Sequence, residues 1–157
     1  MASPATATAY RAVYLRVHPT GKCVLSLSCD AGGQEAQLAE IVGDELGMPA
    51  SDVKVVPEDL DRFGEGHGYV TSASTSSTPN AVRLTCQKIK QKSQILASGM
   101  LGTSPQSLSW DGARFYAGRD PLSGKRIEEI ALYAHGGALE LPGGLEGSLD
   151  AQTTYRD

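Results

Sequence analysis

Two apolar segments near the start of the chain read as strands, residues 12–17, AVYLRV, and 23–29, CVLSLSC. Alternation in the second places Cys23, Leu25, Leu27 and Cys29 on one face. HPTGK lies between them, with Pro19 setting φ and Gly21 able to take positive φ, so the pair reads as a β-hairpin. The period then changes. From Gln34 to Leu46 the apolar positions Leu38, Ile41, Val42 and Leu46 recur as on one face of a helix, and Gly47 followed by Pro49 stops it. SDVKVV, 51–56, reads as a third short strand. Strand, helix, strand in this spacing is a compact α/β unit.

A glycine- and serine-rich loop fills residues 57–77. A second helix is predicted from Thr78 to Gly99, with Pro79 in the first turn, where its missing N–H costs nothing. Its apolar side holds Ala81, Leu84, Thr85, Lys88/Ile89 and Ile95/Leu96, and the lysines Lys88, Lys90 and Lys92 read as a solvated face. SLSWDGARFY, 107–116, reads as a hairpin about Asp111-Gly112. PLSGKRIEEIALYAHGG, 121–137, reads as a short helix with Ile127, Ile130 and Leu132 inward. Residues 138–157 are glycine-rich without a helical period, and are expected to need another chain or segment to pack on. The fold class expected is α+β: a single domain of β-hairpins and a short mixed sheet packed against two main helices. It spans 11–150, with a disordered segment at 1–10 and a tail at 151–157.

Composition narrows the function classes. A chain of 157 residues at 40% hydrophobic suits one domain with a modest core. A net charge of −4 gives no basic surface to displace the counterions of a nucleic acid, so no nucleic-acid partner is expected. No window approaches the ~20 apolar residues of a membrane span. MASPATATAY lacks a basic stretch followed by an apolar run, so no secretory signal is expected. Cys23, Cys29 and Cys86 make an odd number, which suggests reduced thiols in a cytoplasmic protein. His18, His67 and His135 are scattered, and no pair has the tight spacing of a metal site.

The chemistry concentrates in two loops, each ending where a helix begins. Asp30-Ala31-Gly32-Gly33 opens onto the first helix. GEGHGYVTSASTSS, 64–77, opens onto the second, and the eight residues from Thr71 to Thr78 carry seven hydroxyls. Helix starts present unpaired N–H groups and a partial positive charge. Small residues leave those amides accessible, and Ser72, Ser74, Thr75, Ser76 and Ser77 can add donors without adding charge. The combination suits a phosphate-bearing ligand even in an acidic protein, while a solvated surface loop is the competing reading of the same residues. No G-x-x-x-x-G-K-[ST] loop is present, and GEGHG does not complete G-x-G-x-x-G. Asp30, Glu58 and Asp59 are candidate bases with capping or solvated roles as the alternative, and no nucleophile elbow occurs.

The order of these elements resembles part of the large subunit of the molybdenum hydroxylases, the family of xanthine dehydrogenase, aldehyde oxidoreductase and aerobic carbon monoxide dehydrogenase. The resemblance covers about residues 12–150. It is carried by AEIVGDELGMPASDVKV and STSSTPNAVRLTCQKIK. It implies that the region binds molybdopterin with molybdenum, often as the cytosine dinucleotide. It places a serine pair of the pterin-holding loop at Ser72 and Ser74, with Thr75 beside them. It also places a G-Q-G turn at Ala31, Gly32 and Gly33, so Gly32 stands where the family has glutamine, and Gln34 follows two residues later. The cofactor-binding residues expected are thus Gly32, Gly33, Gln34, Ser72, Ser74 and Thr75, with no catalytic residue or metal ligand from this chain; His67 is a further candidate to hydrogen-bond the pterin. The implied partners are the remaining molybdopterin-binding subunit or segment and iron–sulfur and flavin subunits. The family's glutamate base lies in a later segment, so the chain alone is not expected to be active. The rival reading is a non-catalytic interaction or assembly protein of the same fold that has lost cofactor contact.

Overall fold

The computed structural model describes residues 10–63, 77–136 and 148–156. Its main sheet contains β1 (Tyr10–Val17), β2 (Cys23–Leu27), β3 (Val53–Val56) and β7 (Leu149–Arg156) in the order β3-β2-β1-β7. A second sheet is built from β4 (Leu108–Trp110), β5 (Arg114–Ala117) and β6 (Lys125–Arg126). The helices are α1 (Glu35–Leu46), α2 (Leu60–Phe63), α3 (Thr78–Leu101) and α4 (Ile127–His135). The architecture is α+β, as the pattern predicts.

Alternation places the core. Val13, Leu15 and Val17 of β1, Cys23, Leu25 and Leu27 of β2, and Leu149 of β7 are all buried and on one face of the sheet. That face is covered by Leu38, Ala39, Ile41, Val42 and Leu46 of α1 and by Ala81, Val82, Cys86, Ile89 and Leu96 of α3. Burying a side chain such as Leu25 in this way contributes about 1.5–3 kcal/mol. The β1–β2 pair is the predicted hairpin. β3 joins β2 in parallel, because α1 carries the chain back across the face before β3 begins. Gly47 and Gly102 end α1 and α3 in the left-handed conformation, each donating its N–H to a carbonyl four residues back. The Asp111-Gly112 hairpin forms as predicted. Asp111 Oδ1 accepts from the N–H groups of Ala113 (2.9 Å) and Arg114 (2.6 Å), which hold its carboxyl below the ordinary carboxylate range.

The surface that the glycine-rich C-terminal stretch was expected to need comes from β1: 149–156 form β7, antiparallel to β1 from Tyr10↔Arg156 to Val17↔Leu149. Four local expectations are corrected. The helix read at 121–137 begins only at Ile127, because Lys125 and Arg126 pair with β5 first. Within that helix the buried stripe is Ile127, Ile130, Ala131 and Ala134, and Leu132 points to solvent at 58% exposure. On α3, Leu84 is likewise exposed. The three lysines of α3 are not a uniformly solvated face. Lys88 Nζ donates to the Gln152 carbonyl (2.8 Å) and to Thr153 Oγ1 (3.1 Å), and Lys90 pairs with Glu45 of α1 at 2.9 Å.

Polar contacts line the α3–β7 seam. Thr85 Oγ1 is buried 2.8 Å from the Ala81 carbonyl and 2.7 Å from Thr153 Oγ1. At the start of the helix, Thr78 Oγ1 lies 2.8 Å from the Tyr155 hydroxyl. Alternate residues of β7, Thr153 and Tyr155, therefore meet α3 through hydroxyls.

Candidate functional site

β2 and β3 are parallel, so their carboxyl ends lie at one edge of the sheet, the position at which α/β units commonly bind ligands. Both candidate loops leave from that edge. β2 continues through Ser28 and Cys29 into Asp30–Gln34 and α1; β3 continues through Pro57–Asp59 into α2 and, further along the chain, α3. Their roots are joined. The Glu58 N–H donates to the Cys29 carbonyl (3.1 Å) and the Asp59 N–H to the Leu27 carbonyl (2.9 Å). Glu58 adopts φ +50°, the one non-glycine positive φ among the described residues, at the bend where β3 turns toward this contact. Ser28 closes the other side: its N–H donates to the Ala12 carbonyl (3.0 Å) and its Oγ accepts from the Ala12 N–H (2.8 Å).

The loop onto α1 needs its glycines. Gly32 and Gly33 adopt φ +62° and +79°, which costs an L-residue about 1–2 kcal/mol. Both are exposed, and a Cβ on Gly33 would meet no atom within 4 Å. Gln34 is the N-cap; its N–H donates to the Ala31 carbonyl (3.1 Å), and no side chain caps the first turn. The amides at the start of α1 therefore stand beside open space. Gln34 Oε1 is buried and has no hydrogen-bond partner among the described residues. α3 also starts without a side-chain cap at Ser77.

The Tyr155 hydroxyl hydrogen-bonds Thr78, in the first turn of α3. Arg11 is directly opposite Tyr155 on β1, is 1% exposed, and exerts a favourable charge effect on the phenolate form. Burial dominates nonetheless and pushes the Tyr155 hydroxyl up to about 12, so it is a neutral hydrogen-bonding group at physiological pH.

The sequence-predicted residues divide cleanly. Gly32, Gly33 and Gln34 are grouped at this edge; Ser72, Ser74, Thr75 and His67 lie outside the described residues. Of the carboxylates, Asp59 accepts from the Arg62 N–H at 3.2 Å and so caps α2, while Asp30 and Glu58 are exposed. Cys23, Cys29 and Cys86 are buried, and none is in a disulfide. Among the described residues no cluster of three or more histidines, cysteines and carboxylates could hold a metal, and no helix is long and apolar enough to cross a membrane. Sequence reasoning missed Tyr155, Arg11 and Thr78 as parts of this edge. The alternation of Leu149, Ala151, Thr153 and Tyr155 was the signal that could have placed the first of them.

Parallel strands delivering two helix starts to one edge, one of them through a positive-φ glycine pair, define an α+β domain suited to an anionic organic ligand. Comparison with known proteins makes this specific. The sequence model of the molybdopterin cofactor-binding domain family matches residues 1–157, and the chain belongs to that family. It is 32% identical over 143 residues to the carbon monoxide dehydrogenase large chains of Afipia carboxidovorans and Hydrogenophaga pseudoflava, covering 90% of this chain and 17% of each of those. The chain thus spans under a fifth of the length of these relatives. Among solved structures, the Cu,Mo-CO dehydrogenase in its carbon monoxide reduced state superposes with a TM-score of 0.80 at 29% identity, over 94% of this chain and 18% of that one. Quinoline 2-oxidoreductase from Pseudomonas putida 86 shares the fold, with a TM-score of 0.73 at 24% identity over 94% of this chain and 19% of that one. The chain is a molybdopterin-binding domain of the molybdenum hydroxylase large-chain type.

Proposed function

We propose that this chain forms one wall of the molybdopterin site in a multi-subunit, cytoplasmic molybdenum hydroxylase, the opposite wall coming from a further molybdopterin-binding segment or subunit. Iron–sulfur and flavin partners would carry electrons away. The observation that carries the reading is the joining of the two loop roots at one sheet edge, through the Glu58 N–H to the Cys29 carbonyl and the Asp59 N–H to the Leu27 carbonyl.

The residues present fit the cofactor. Uncapped amides beyond Gly33 are donors for phosphate oxygens, and the missing Cβ lets a planar ligand approach the backbone. The orphaned Gln34 Oε1 is an acceptor that needs a donor, and the pterin ring carries N–H groups. Ser72, Ser74 and Thr75 would add hydroxyl donors from the second loop, enough to accommodate the cytosine dinucleotide form. When bound, the cofactor supplies the redox chemistry of an oxidative hydroxylase; this chain binds and orients it. Gly32 has no side-chain amide to offer, so this turn would hold the cofactor through its backbone and through Gln34.

The test is Ser72→Ala combined with Ser74→Ala in the assembled enzyme. Each hydrogen bond lost to a charged group costs about 1.5–3 kcal/mol, so molybdenum and pterin content should fall with the fold intact. Unchanged cofactor content would remove the second loop from the site.

A further inference from the structure

We propose that the second sheet docks an acidic segment of the polypeptide that completes the enzyme, through Arg114 and Arg126 on one face and through Arg119 and Leu122 in the loop joining β5 to β6. The choice of occupant rests on the assembly proposed above; the charged surface does not. This surface is apart from the cofactor edge. The Asp111-Gly112 turn packs on Gly47, where an added Cβ would overlap the Gly112 carbonyl and Ala113. Gly47 ends α1 and Gln34 begins it, so 12 residues of helix, about 18 Å, separate that turn from Gln34.

Residues 108–129 hold four cations, Arg114, Arg119, Lys125 and Arg126, and four carboxylates, Asp111, Asp120, Glu128 and Glu129. The charges cancel in sum but not in space, because three of the carboxylates are engaged with backbone. Asp111 accepts from the Ala113 and Arg114 N–H groups, Asp120 Oδ1 from the Leu122 N–H (3.0 Å), and Glu129 Oε1 from the Arg126 N–H (3.2 Å). Glu128 Oε1 lies 2.9 Å from Arg126 Nε, an ion pair without the alignment of a hydrogen bond. Arg114, Arg119 and Lys125 make no ion pair among the described residues. Arg114 is directly opposite Arg126 across the β5–β6 pair, so both side chains leave the same face; Lys125, opposite Phe115, belongs to the other. Like charges directly opposite one another destabilise a strand pair. A carboxylate-bearing surface would offset that cost, and guanidinium groups match carboxylates in bidentate geometry. An apolar component favours protein over other polyanions. Leu122 is 78% exposed, more than Leu84 or Leu132, and its turn is fixed. Ser123 Oγ donates to the Asp120 carbonyl (2.7 Å), and the Gly124 N–H donates to the Pro121 carbonyl (3.0 Å). The curated relatives carry more than four-fifths of their length outside this fold, so such an enzyme has polypeptide to supply the occupant.

The test has two arms. In the first, the isolated chain is titrated with a fluorescent peptide of glutamates flanking one leucine, with its glutamine counterpart, and with a single-stranded DNA oligonucleotide. The chain's net charge of −4 gives no general attraction for anions, so binding reports a local surface. The glutamate peptide should bind saturably and weaken as salt rises, and the glutamine peptide should not bind. Arg114→Met and Arg119→Gln should each loosen the glutamate peptide by about fivefold or more. In the second arm, arginines are modified with phenylglyoxal and located by mass spectrometry. Arg114 and Arg119 should react in the isolated chain and lose that labelling in the assembled enzyme. Urea unfolding separates docking from stability. Arg114→Met keeps the apolar stem and relieves the opposed charges, so its midpoint should be unchanged or raised. A lowered midpoint makes Arg114 structural and overturns the proposal. So does unaltered peptide affinity in both variants, tighter binding of the DNA than of the peptide, or full labelling of both arginines in the assembled enzyme. The serine-pair variant keeps the two readings distinct. Unchanged cofactor content there, with both arginines protected, rejects the second loop and leaves the docking surface standing; cofactor loss there, with both arginines labelled, rejects the docking surface alone.

Discussion

Adding one carbon at Gly33 or at Gly43 should destabilise the chain unequally, and the contrast tests where the ligand edge lies. Gly33 has φ +79° and open space around its missing Cβ. Gly33→Ala costs about 1–2 kcal/mol for the left-handed conformation, offset by about 0.4–1 kcal/mol from the reduced freedom of the unfolded chain. The net loss is on the order of 1 kcal/mol. Gly43 lies inside α1, where alanine is intrinsically favoured by about 1 kcal/mol. Its Cβ, however, would sit 2.5 Å from the Met48 carbonyl oxygen and 3.3 Å from the Ala50 nitrogen, both backbone atoms that cannot swing aside. Overpacking costs about 1–3 kcal/mol where side chains can adjust, and more is expected against backbone. Gly43→Ala should therefore be the less stable variant despite its better helix propensity. Urea unfolding of the cofactor-free chain reads the stabilities; molybdenum and pterin content of the assembled enzyme reads the site. Gly33→Ala should be only slightly destabilised yet poor in cofactor, because the new methyl occupies the space a ligand would use. A Gly33→Ala variant that retains full cofactor would refute the placement of the ligand against this turn. A Gly43→Ala variant more stable than wild type would refute the packing argument.

Two further outcomes follow from the core. Leu149→Ala should destabilise the chain by about 2–5 kcal/mol in urea unfolding, since Leu149 is fully buried at the start of β7; a change below 1 kcal/mol would mean that β7 is not integral to the sheet. Burial pushes the Cys23 and Cys86 thiols up to about 12 from the ordinary 9.0. The unfolded chain then ionises first as pH rises, so stability present below pH 9.0 is lost progressively between there and about pH 12. Cys86→Ala should flatten that alkaline fall in the urea midpoint, and native-state thiol labelling at pH 8 should proceed only through unfolding; rapid labelling of either cysteine in the folded chain would contradict both expectations.

The local pattern was enough for every element whose signal is contained in a few residues. The β1–β2 hairpin, α1 with its Gly47 stop, the Asp111-Gly112 turn and the start of α3 at Thr78 follow from period, proline and glycine placement, because backbone conformation there is decided by neighbours in sequence. The glycine turn at Gly32-Gly33 was legible for the same reason. What tertiary structure decided is everything that depends on a partner distant along the chain. β7 has weak intrinsic strand character, and it becomes a strand because β1 offers a full edge of N–H and C=O groups. Leu132 turns outward because the short helix α4 buries the stripe containing Ile127, Ile130 and Ala134 instead. Lys88 and Lys90 read as solvated until β7 and α1 supply their acceptors. The candidate site shows both halves of the division. Its glycines and helix starts were written in adjacent residues, but their common edge depends on the parallel pairing of β2 with β3. The hydrogen bond at the start of α3 likewise depends on Tyr155, whose partner Thr78 lies 77 residues away.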